Sequence, residues 1–596
     1  MKPAMNHLTV VLAALFTLPL VPPAGAAEWK PAAGPLKTRW AKDVSPDKVL
    51  PEYPRPQMVR KDWMNLNGLW DVKLSDGTAT RILVPFAVES ALSGVMKYSD
   101  KLSYRRSFEV PKDWNGMRVL LHFGAVDWET KVSLNGKELG THRGGYDAFS
   151  FDITDALKKD GAQELTVNVF DATDLAGEPR GKQTLTPKGI KYTPTTGIWQ
   201  TVWLEPVSPT HIKSLEMVAD VDAQCLRLKV NGSDKAGDAA MVEAVASDGG
   251  KEIARVSGEI GADIKLAIPD PKLWSPDTPH LYDLKVSLKS KEAAGSSVAD
   301  SVSSYFGMRK IALGKDENGV TRIMLNGKPV FQVGPLDQGF WPDGIYTAPT
   351  DEALKFDVTQ TKRLGFNCTR KHVKVEPDRW YYWCDKVGLL VWQDMPSINS
   401  YAKVKQPIDA PQFKIELTQM VRQKSNHPSI IMWVVFNEYQ GIHDTQALTA
   451  HVKALDPSRL VNACSGEHAE KVGETVIKCG DVYDQHTYPG PSSPKPEADR
   501  AAVLGEFGGL GLAIDGHHWA QRTWGYKGMK NVEELTTRYE ELLARAWELN
   551  ASEGLSAVIY TQITDVETEC NGLLTYDREI NKVIPERAAL ANTGKK

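Results

Sequence analysis

After about residue 307 the sequence settles into short apolar runs separated by helix-like stretches, and this alternation restricts the fold more than any other feature. The runs are Pro329–Val333, Phe366–Arg370, Leu389–Gln393, Ile430–Phe436, Leu460–Ala463, Val482–Gln485, Ala501–Leu504 and Ala557–Thr561. Helix-like stretches between them include Ala353–Leu364, Pro377–Val387, Phe413–Lys424 and Val532–Leu549. Strands that alternate with helices make a parallel sheet, and eight such strands predict a closed (β/α)8 barrel over 307–596. Catalytic groups in such barrels sit at the C-terminal ends of the strands.

The chain upstream reads differently. Residues 28–208 carry short alternating stretches such as Gly68–Leu74 and Lys131–Leu134, followed by the turn pairs Asp76-Gly77 and Asn135-Gly136. These dipeptides tolerate hairpin backbone angles, and the spacing predicts a β-sandwich of jelly-roll type. Residues 209–306 repeat the pattern in Leu226–Val230 and Tyr282–Val286, and a module of this length with such strands predicts an immunoglobulin-like sandwich.

Residues 1–27 read as an export signal: Lys2 and His7 precede the apolar run Leu8–Val21, and Ala24-Gly25-Ala26 offers a cleavage site. Periplasmic or extracellular location follows as an expectation, with no membrane insertion. A formal net charge of −4 without a basic stripe argues against nucleic acid as a partner. Six cysteines without a C-x-x-C pair form neither a zinc pattern nor a disulfide scaffold, and no metal or other cofactor is expected. Seventeen tryptophans suit stacking on sugar rings, but they also fill sandwich cores. Nothing in the sequence speaks to oligomeric state.

Two glutamates carry the chemistry. The run Ile430–Phe436 ends in Asn437-Glu438, and Ala501–Gly505 ends in Glu506. Counted along the barrel these are strands four and seven, whose ends face each other across the mouth. A retaining glycosidase needs two carboxyl groups about 5–5.5 Å apart, one protonated and one ionised. A single glutamate at a strand end is more often a surface residue; a pair in this setting is not.

The run Trp433–Glu438 resembles the strand-four Asn-Glu signature of glycoside hydrolase family 2, the β-galactosidase, β-glucuronidase and β-mannosidase group. Gly365–His372 and Tyr381–Val391 are similar to further barrel segments of that family. Asn67–Trp70, Val84–Phe86, Tyr104–Phe108, Leu134–Gly136 and Thr196–Trp199 resemble its N-terminal sandwich. The resemblance implies Glu438 as acid/base, Glu506 as nucleophile, Asn437 at the sugar 2-hydroxyl, Tyr488 supporting the nucleophile, and Arg370 and His372 on the pocket floor. It also implies that Glu506 helps keep Glu438 protonated and that Arg370 keeps Glu506 ionised.

Three departures bear on the sugar. Only Lys371 separates Arg370 from His372, which weakens any magnesium expectation. The last strand, Ile559–Asp565, lacks the family's tryptophan, so Trp519, Trp524 or Tyr526 are candidates for that wall of the sugar site, with loop packing as the alternative role. The strand-one segment Gly334–Trp341 is unlike that of the well-known members, with Asp337 and Trp341 as candidate substrate contacts.

The expectation is therefore a carbohydrate substrate and a retaining exo-β-glycosidase. β-Galactoside comes first, with β-glucuronide, β-mannoside and α-arabinoside as alternatives. Lys371 and Lys374 would hold the carboxylate of a glucuronide. A binding-only protein is the rival class. No G-x-S-x-G or H-E-x-x-H motif supports an esterase or metalloprotease.

Overall fold

The structure, a computed structural model, describes residues 29–595 apart from 234–239, 291–297, 399–407, 467–470, 473–474 and 477. The export signal expected at 1–27 lies outside the described residues. No helix among them is long and apolar enough to cross a membrane.

The N-terminal region is a sandwich of two antiparallel sheets. A six-stranded sheet runs in the order Ala79–Val84, Gly68–Leu74, Lys101–Phe108, Gln163–Phe170, Glu129–Leu134, Lys137–Arg143. A four-stranded sheet built on Arg118–Phe123 and Val202–Val207 belongs to the same sandwich. Period-two side-chain alternation puts Trp70, Val72 and Leu74 of one strand into the core with Leu121, Val132 and Val167. The second sandwich has three strands (Ile212–Asp220, Cys225–Gly232, Asp263–Ala267) and four (Lys251–Glu259, Ala240–Asp248, Tyr282–Ser290, Val298–Phe306), an immunoglobulin-like arrangement.

The barrel strands are β1 (Gln332–Asp337), β2 (Cys368–Lys371), β3 (Leu390–Asp394), β4 (Ile430–Val434), β5 (Leu460–Asn462), β6 (Val482–Thr487), β7 (Ala501–Gly508) and β8 (Ala557–Thr561). They pair in parallel in the order β5-β4-β3-β2-β1-β8-β7-β6. The β5/β6 seam is closed by Asp481, whose N–H donates to the Val461 carbonyl and whose carboxylate accepts from the Val461 N–H, both at 2.7 Å. Strands β4 and β7 are buried on both faces, the reason Ile430–Val434 and Ala501–Leu504 are continuous apolar runs, whereas β2 is equally buried but carries Arg370 and Lys371. The predicted positions hold within a few residues. β1 begins at Gln332 rather than Pro329, and β6 and β7 run on to Thr487 and Gly508.

Helix α1 (Asp351–Arg363) is capped by Thr350, whose side chain accepts from the Ala353 N–H, with Asp351 and Glu352 in its first turn and Lys362 and Arg363 in its last. This matches the helix dipole at both ends. The sequence reading missed the helix Thr445–Leu455 between β4 and β5. Among the described residues no α-helix separates β5 from β6, or β6 from β7.

One feature of the first sandwich matters for the site. Its segment 178–193 lies on the barrel mouth: the N–H groups of Arg180 and Gly181 donate to the Ser397 carbonyl, at 2.8 and 3.0 Å. The N–H of Thr193 donates to Glu567 at 2.8 Å, and the Tyr192 hydroxyl to Glu569.

Candidate active site

The segment after β4 and the end of β7 bring Glu438 and Glu506 together with His486, the last residue but one of β6. One side-chain ligand atom from each of the three lies within 4.8 Å of the other two. His486 Nδ1 is 3.0 Å from Glu438 Oε1 and 3.6 Å from Glu506 Oε2, and its Nε2 is 2.8 Å from Ser465 Oγ. Glu438 holds a left-handed φ of 49°. A bulky residue adopts this at a cost of about 1–3 kcal/mol, recovered here in part by its N–H bond to the Ser465 carbonyl at 2.7 Å. Gly505, before the second glutamate, has no room for a Cβ, which would meet both Asp484 carboxylate oxygens at 2.4 Å.

The floor is built from β2, β3 and β4. Arg370 is fully buried and binds Asp394 through Nε and Nη2, at 2.8 to 3.1 Å. Its Nη2 also donates to Asn437 Oδ1 at 2.8 Å, and its Nη1 lies 3.3 Å from Glu506 Oε1. Asn437 thus gives its carbonyl oxygen to Arg370 and keeps its amide hydrogens for a ligand. The Tyr488 hydroxyl donates to Glu506 Oε2 at 2.6 Å and lies 2.7 Å from Thr561 Oγ1. Its ring stacks on Tyr526 at 3.8 Å and 6°.

Electrostatics differ from the expectation at one point. Burial opposes ionisation of Glu438, yet the hydrogen bond and charge of His486, with Lys182 and Arg370, hold its carboxyl below the ordinary range. Burial likewise opposes ionisation of Glu506, but His486 and Arg370 outweigh it and the repulsion from Glu438. Burial lowers His486, and Glu506, Glu438 and Asp484 more than restore it, raising the imidazole above its ordinary value. His486 thus lies between the two glutamates as the group that favours the ionised form of both, against the expectation that Glu506 would raise Glu438. The trio's spacing would also suit a cation, but Arg370 beside Glu506 already supplies positive charge there.

The other predicted residues divide. His372 is buried with Nδ1 3.0 Å from Asp394, and burial first, then Lys182 and Arg370, keep it neutral. Asp337 does not face the mouth freely: it binds Lys371 at 2.7 Å and caps the Gly339 N–H at 2.8 Å. Trp341 is a core residue, 2% exposed, edge-on to Trp40 and under the Arg578 guanidinium at 4.0 Å. The apolar ring follows the chain inward after β1, so it cannot read a substrate. Trp519 packs edge-on to Tyr576 and borders the core. Trp524 is 38% exposed and meets Tyr526, which carries the stack onto Tyr488. Lys371 and Lys374 do not point to a substrate either. Both are buried on Glu376 at 2.9 Å.

Sequence reasoning missed His486, Asp394, Thr561 and Lys182. His486 was findable, since it lies two residues before Tyr488 at the end of a strand, where i and i+2 share a face. Thr561 ends β8 and touches Tyr488 beside the position where a tryptophan was expected. Lys182 had no local signal, because only the packing of the first sandwich brings it to the barrel.

A parallel barrel with two facing carboxylates at its mouth, preceded by two β-sandwiches, defines a glycosidase-type architecture. Sequence models of one family match in tandem: the "galactose-binding domain-like" unit of glycosyl hydrolase 2 at residues 83–197, the central family 2 domain at 210–309, and the family 2 "TIM barrel domain" at 322–493. The chain belongs to glycoside hydrolase family 2. A β-galactosidase of Thermoanaerobacter pseudethanolicus is 28% identical over 57% of this chain and 45% of its own length. A β-glucuronidase of Bacteroides fragilis is 28% identical over 67% of this chain and 61% of its own. The chain thus spans about half to three-fifths of these relatives. The crystal structure of Ruminococcus gnavus β-glucuronidase shares the fold, with a TM-score of 0.73 over 91% of this chain and 99% of that one, at 19% identity.

Proposed function

We propose that the chain is a retaining exo-β-glycosidase acting on a terminal sugar, with β-galactoside as the first substrate to test and β-glucuronide as the second. One observation carries the reading: carboxylate oxygens of Glu438 and Glu506 lie within 4.8 Å of each other at the barrel mouth. Retention needs a separation of about 5–5.5 Å, whereas inversion leaves about 6.5–9.5 Å for a water. Relatives with both activities support a choice between these two sugars.

In this mechanism Glu506 attacks the anomeric carbon as the glycosidic C–O bond breaks, and Glu438 gives a proton to the leaving oxygen. His486 supplies that proton to Glu438 across the 3.0 Å hydrogen bond once substrate displaces water from the site. Water then adds to the glycosyl-enzyme, activated by the Glu438 carboxylate. Asn437 binds the 2-hydroxyl, and Tyr488 and Arg370 hold Glu506 in place and ionised. Export is proposed as well, on the apolar run Leu8–Val21 and the Ala24-Gly25-Ala26 site; N-terminal sequencing of the mature protein tests it.

The test is release of nitrophenol from p-nitrophenyl β-galactoside and β-glucuronide by wild type and Glu506→Gln. Turnover of either one that collapses in the variant supports the reading. Turnover of neither by the wild type, alongside stoichiometric sugar binding, would replace it with the binding-only rival.

A further inference from the structure

The segment 178–193 of the first sandwich does more than brace the barrel. Gly181, at a left-handed φ of 64°, sits where a Cβ would meet the Val373 carbonyl oxygen at 2.4 Å, so the backbone lies directly on the turn after β2. The Lys182 carbonyl accepts from the Tyr192 N–H at 3.0 Å, and Tyr192 is tied to Glu569 in the turn after β8. Lys182 is thereby fixed between two barrel loops over the mouth.

Three basic side chains of this segment lack the partners that buried charges ordinarily have. Lys182 is 6% exposed, and its side-chain amine makes no hydrogen bond or ion pair with any described residue. Arg180 is 5% exposed, and its Nε and Nη1 are buried without an acceptor. The Lys191 amine is also buried without an acceptor. The nearby carboxylates are engaged elsewhere. Asp174 accepts from Thr184 and the Leu185 N–H, Glu569 from Tyr192 and Asn571, Glu567 from Thr193, and Glu438 pairs with His486. Burial pushes Glu178 up to about 7, so it is a weak counter-charge.

Electrostatics agree with this geometry. Burial first, then the charges of Lys182 and Arg180, push the Lys191 amine down to about 6, so that it takes up its charge near neutral pH only with an anion beside it. The charge of Lys182 in turn lowers Glu438, His372 and Glu569, so it lies within electrostatic reach of the reacting groups. Lys371 and Lys374 are the contrast, since each is saturated by a buried carboxylate.

We infer that Lys182, with Lys191 and Arg180 beside it, forms an anion subsite at the barrel mouth for a carboxylate or sulfate ester carried by the glycoside. The inference rests on the glycosidase reading for what the ligand is, and on the unpartnered cations for its charge.

Isothermal titration of the full chain with D-glucuronic acid, galactose 6-sulfate and galactose tests it without turnover. One anionic sugar is expected to bind the wild type at least ~10-fold more tightly than galactose, the contribution of a charge-assisted contact. The preferred one tells carboxylate from sulfate. That preference should fall ~10-fold or more in Lys182→Gln and largely return in Lys182→Arg, which keeps the charge. Lys191→Gln repeats the test should Lys182→Gln fail to fold. No anion preference in the wild type, or one that survives both glutamine variants, overturns the subsite. Nitrophenyl-glycoside turnover measured in parallel separates the two readings. Turnover without anion preference rejects the subsite alone. An anion preference lost in Lys182→Gln, without turnover of any glycoside, supports the subsite and rejects the glycosidase.

Discussion

Two charge clusters lie side by side at the barrel mouth, and they do opposite things. One joins Arg370, Asp394, Glu506, His486 and Glu438, and leaves the two glutamates with lone pairs facing the mouth. The other joins Asp337, Lys371, Glu376 and Lys374 and closes on itself: Lys371 binds both Asp337 and Glu376, while Lys374 adds the Gly339 and Tyr346 carbonyls to Glu376. Both are buried, and both contain residues that the sequence marks as candidate ligands. What separates them is where the charges are spent: each lysine ammonium of the second cluster is held by a buried carboxylate of the fold, whereas Glu438 and Glu506 meet at the mouth. A cation already paired within the fold is not one that a substrate can recruit, however close it lies.

The largest effect should fall on the open cluster. Glu506→Gln is expected to lower kcat by about 10⁴-fold or more, measured as nitrophenol release, with the thermal unfolding midpoint little changed. Glu438→Gln should reduce kcat/KM by about 10²–10⁴-fold, and less for a good leaving group such as nitrophenolate, which needs little proton donation. A loss equal for nitrophenyl and alkyl glycosides would contradict its role as acid.

Arg370→Met should destabilise the fold by about 3–5 kcal/mol, because Asp394 is left as a buried uncompensated charge. It should also lower activity, since Glu506 loses a cation. In the closed cluster, Lys371→Met should destabilise by about 3 kcal/mol for the same reason. There KM for glycoside should stay as in the wild type. A changed KM with the fold intact would erase the distinction between the clusters.

The smallest expected effect is a pH dependence. A histidine held above its ordinary pKa stabilises the fold below about 6.5 and loses that contribution as pH rises through its raised value. Carboxylates held below their ordinary range stabilise above about 4.3 and lose it as pH falls through their lowered values. The trio therefore contributes most between these limits. The stability advantage of wild type over His486→Asn, followed by thermal unfolding, should narrow as pH is raised from about 6 to about 9. A constant gap would mean that His486 is not charged in the folded state.

The glutamate pair and the barrel were legible because each rests on local pattern. Ile430–Phe436 and Ala501–Leu504 are buried strands that end at a carboxylate, and a strand in a parallel sheet is apolar on both faces. Trp341 misled for the mirror-image reason. An aromatic residue just after β1 has the composition of a sugar platform, but its direction depends on Arg578 and Trp40, more than 200 residues away in either direction along the chain. The direction of the shift at Glu438 could not be read either. It turns on His486, whose bond to Glu438 spans 48 residues and outweighs the expected repulsion between the glutamates.

By itself the sequence determined the order of two sandwiches and a barrel, and the two strand ends where a glycosidase keeps its carboxylates. It could do so because hydrophobic periodicity and strand-end position are properties of consecutive residues. Only the tertiary structure decided which charges are spent and which remain: that Lys371 and Lys374 are neutralised within the barrel, and that Lys182 arrives from another sandwich without a partner. Hydrogen-bond saturation is a property of neighbours in space, and those neighbours are set by packing between distant segments.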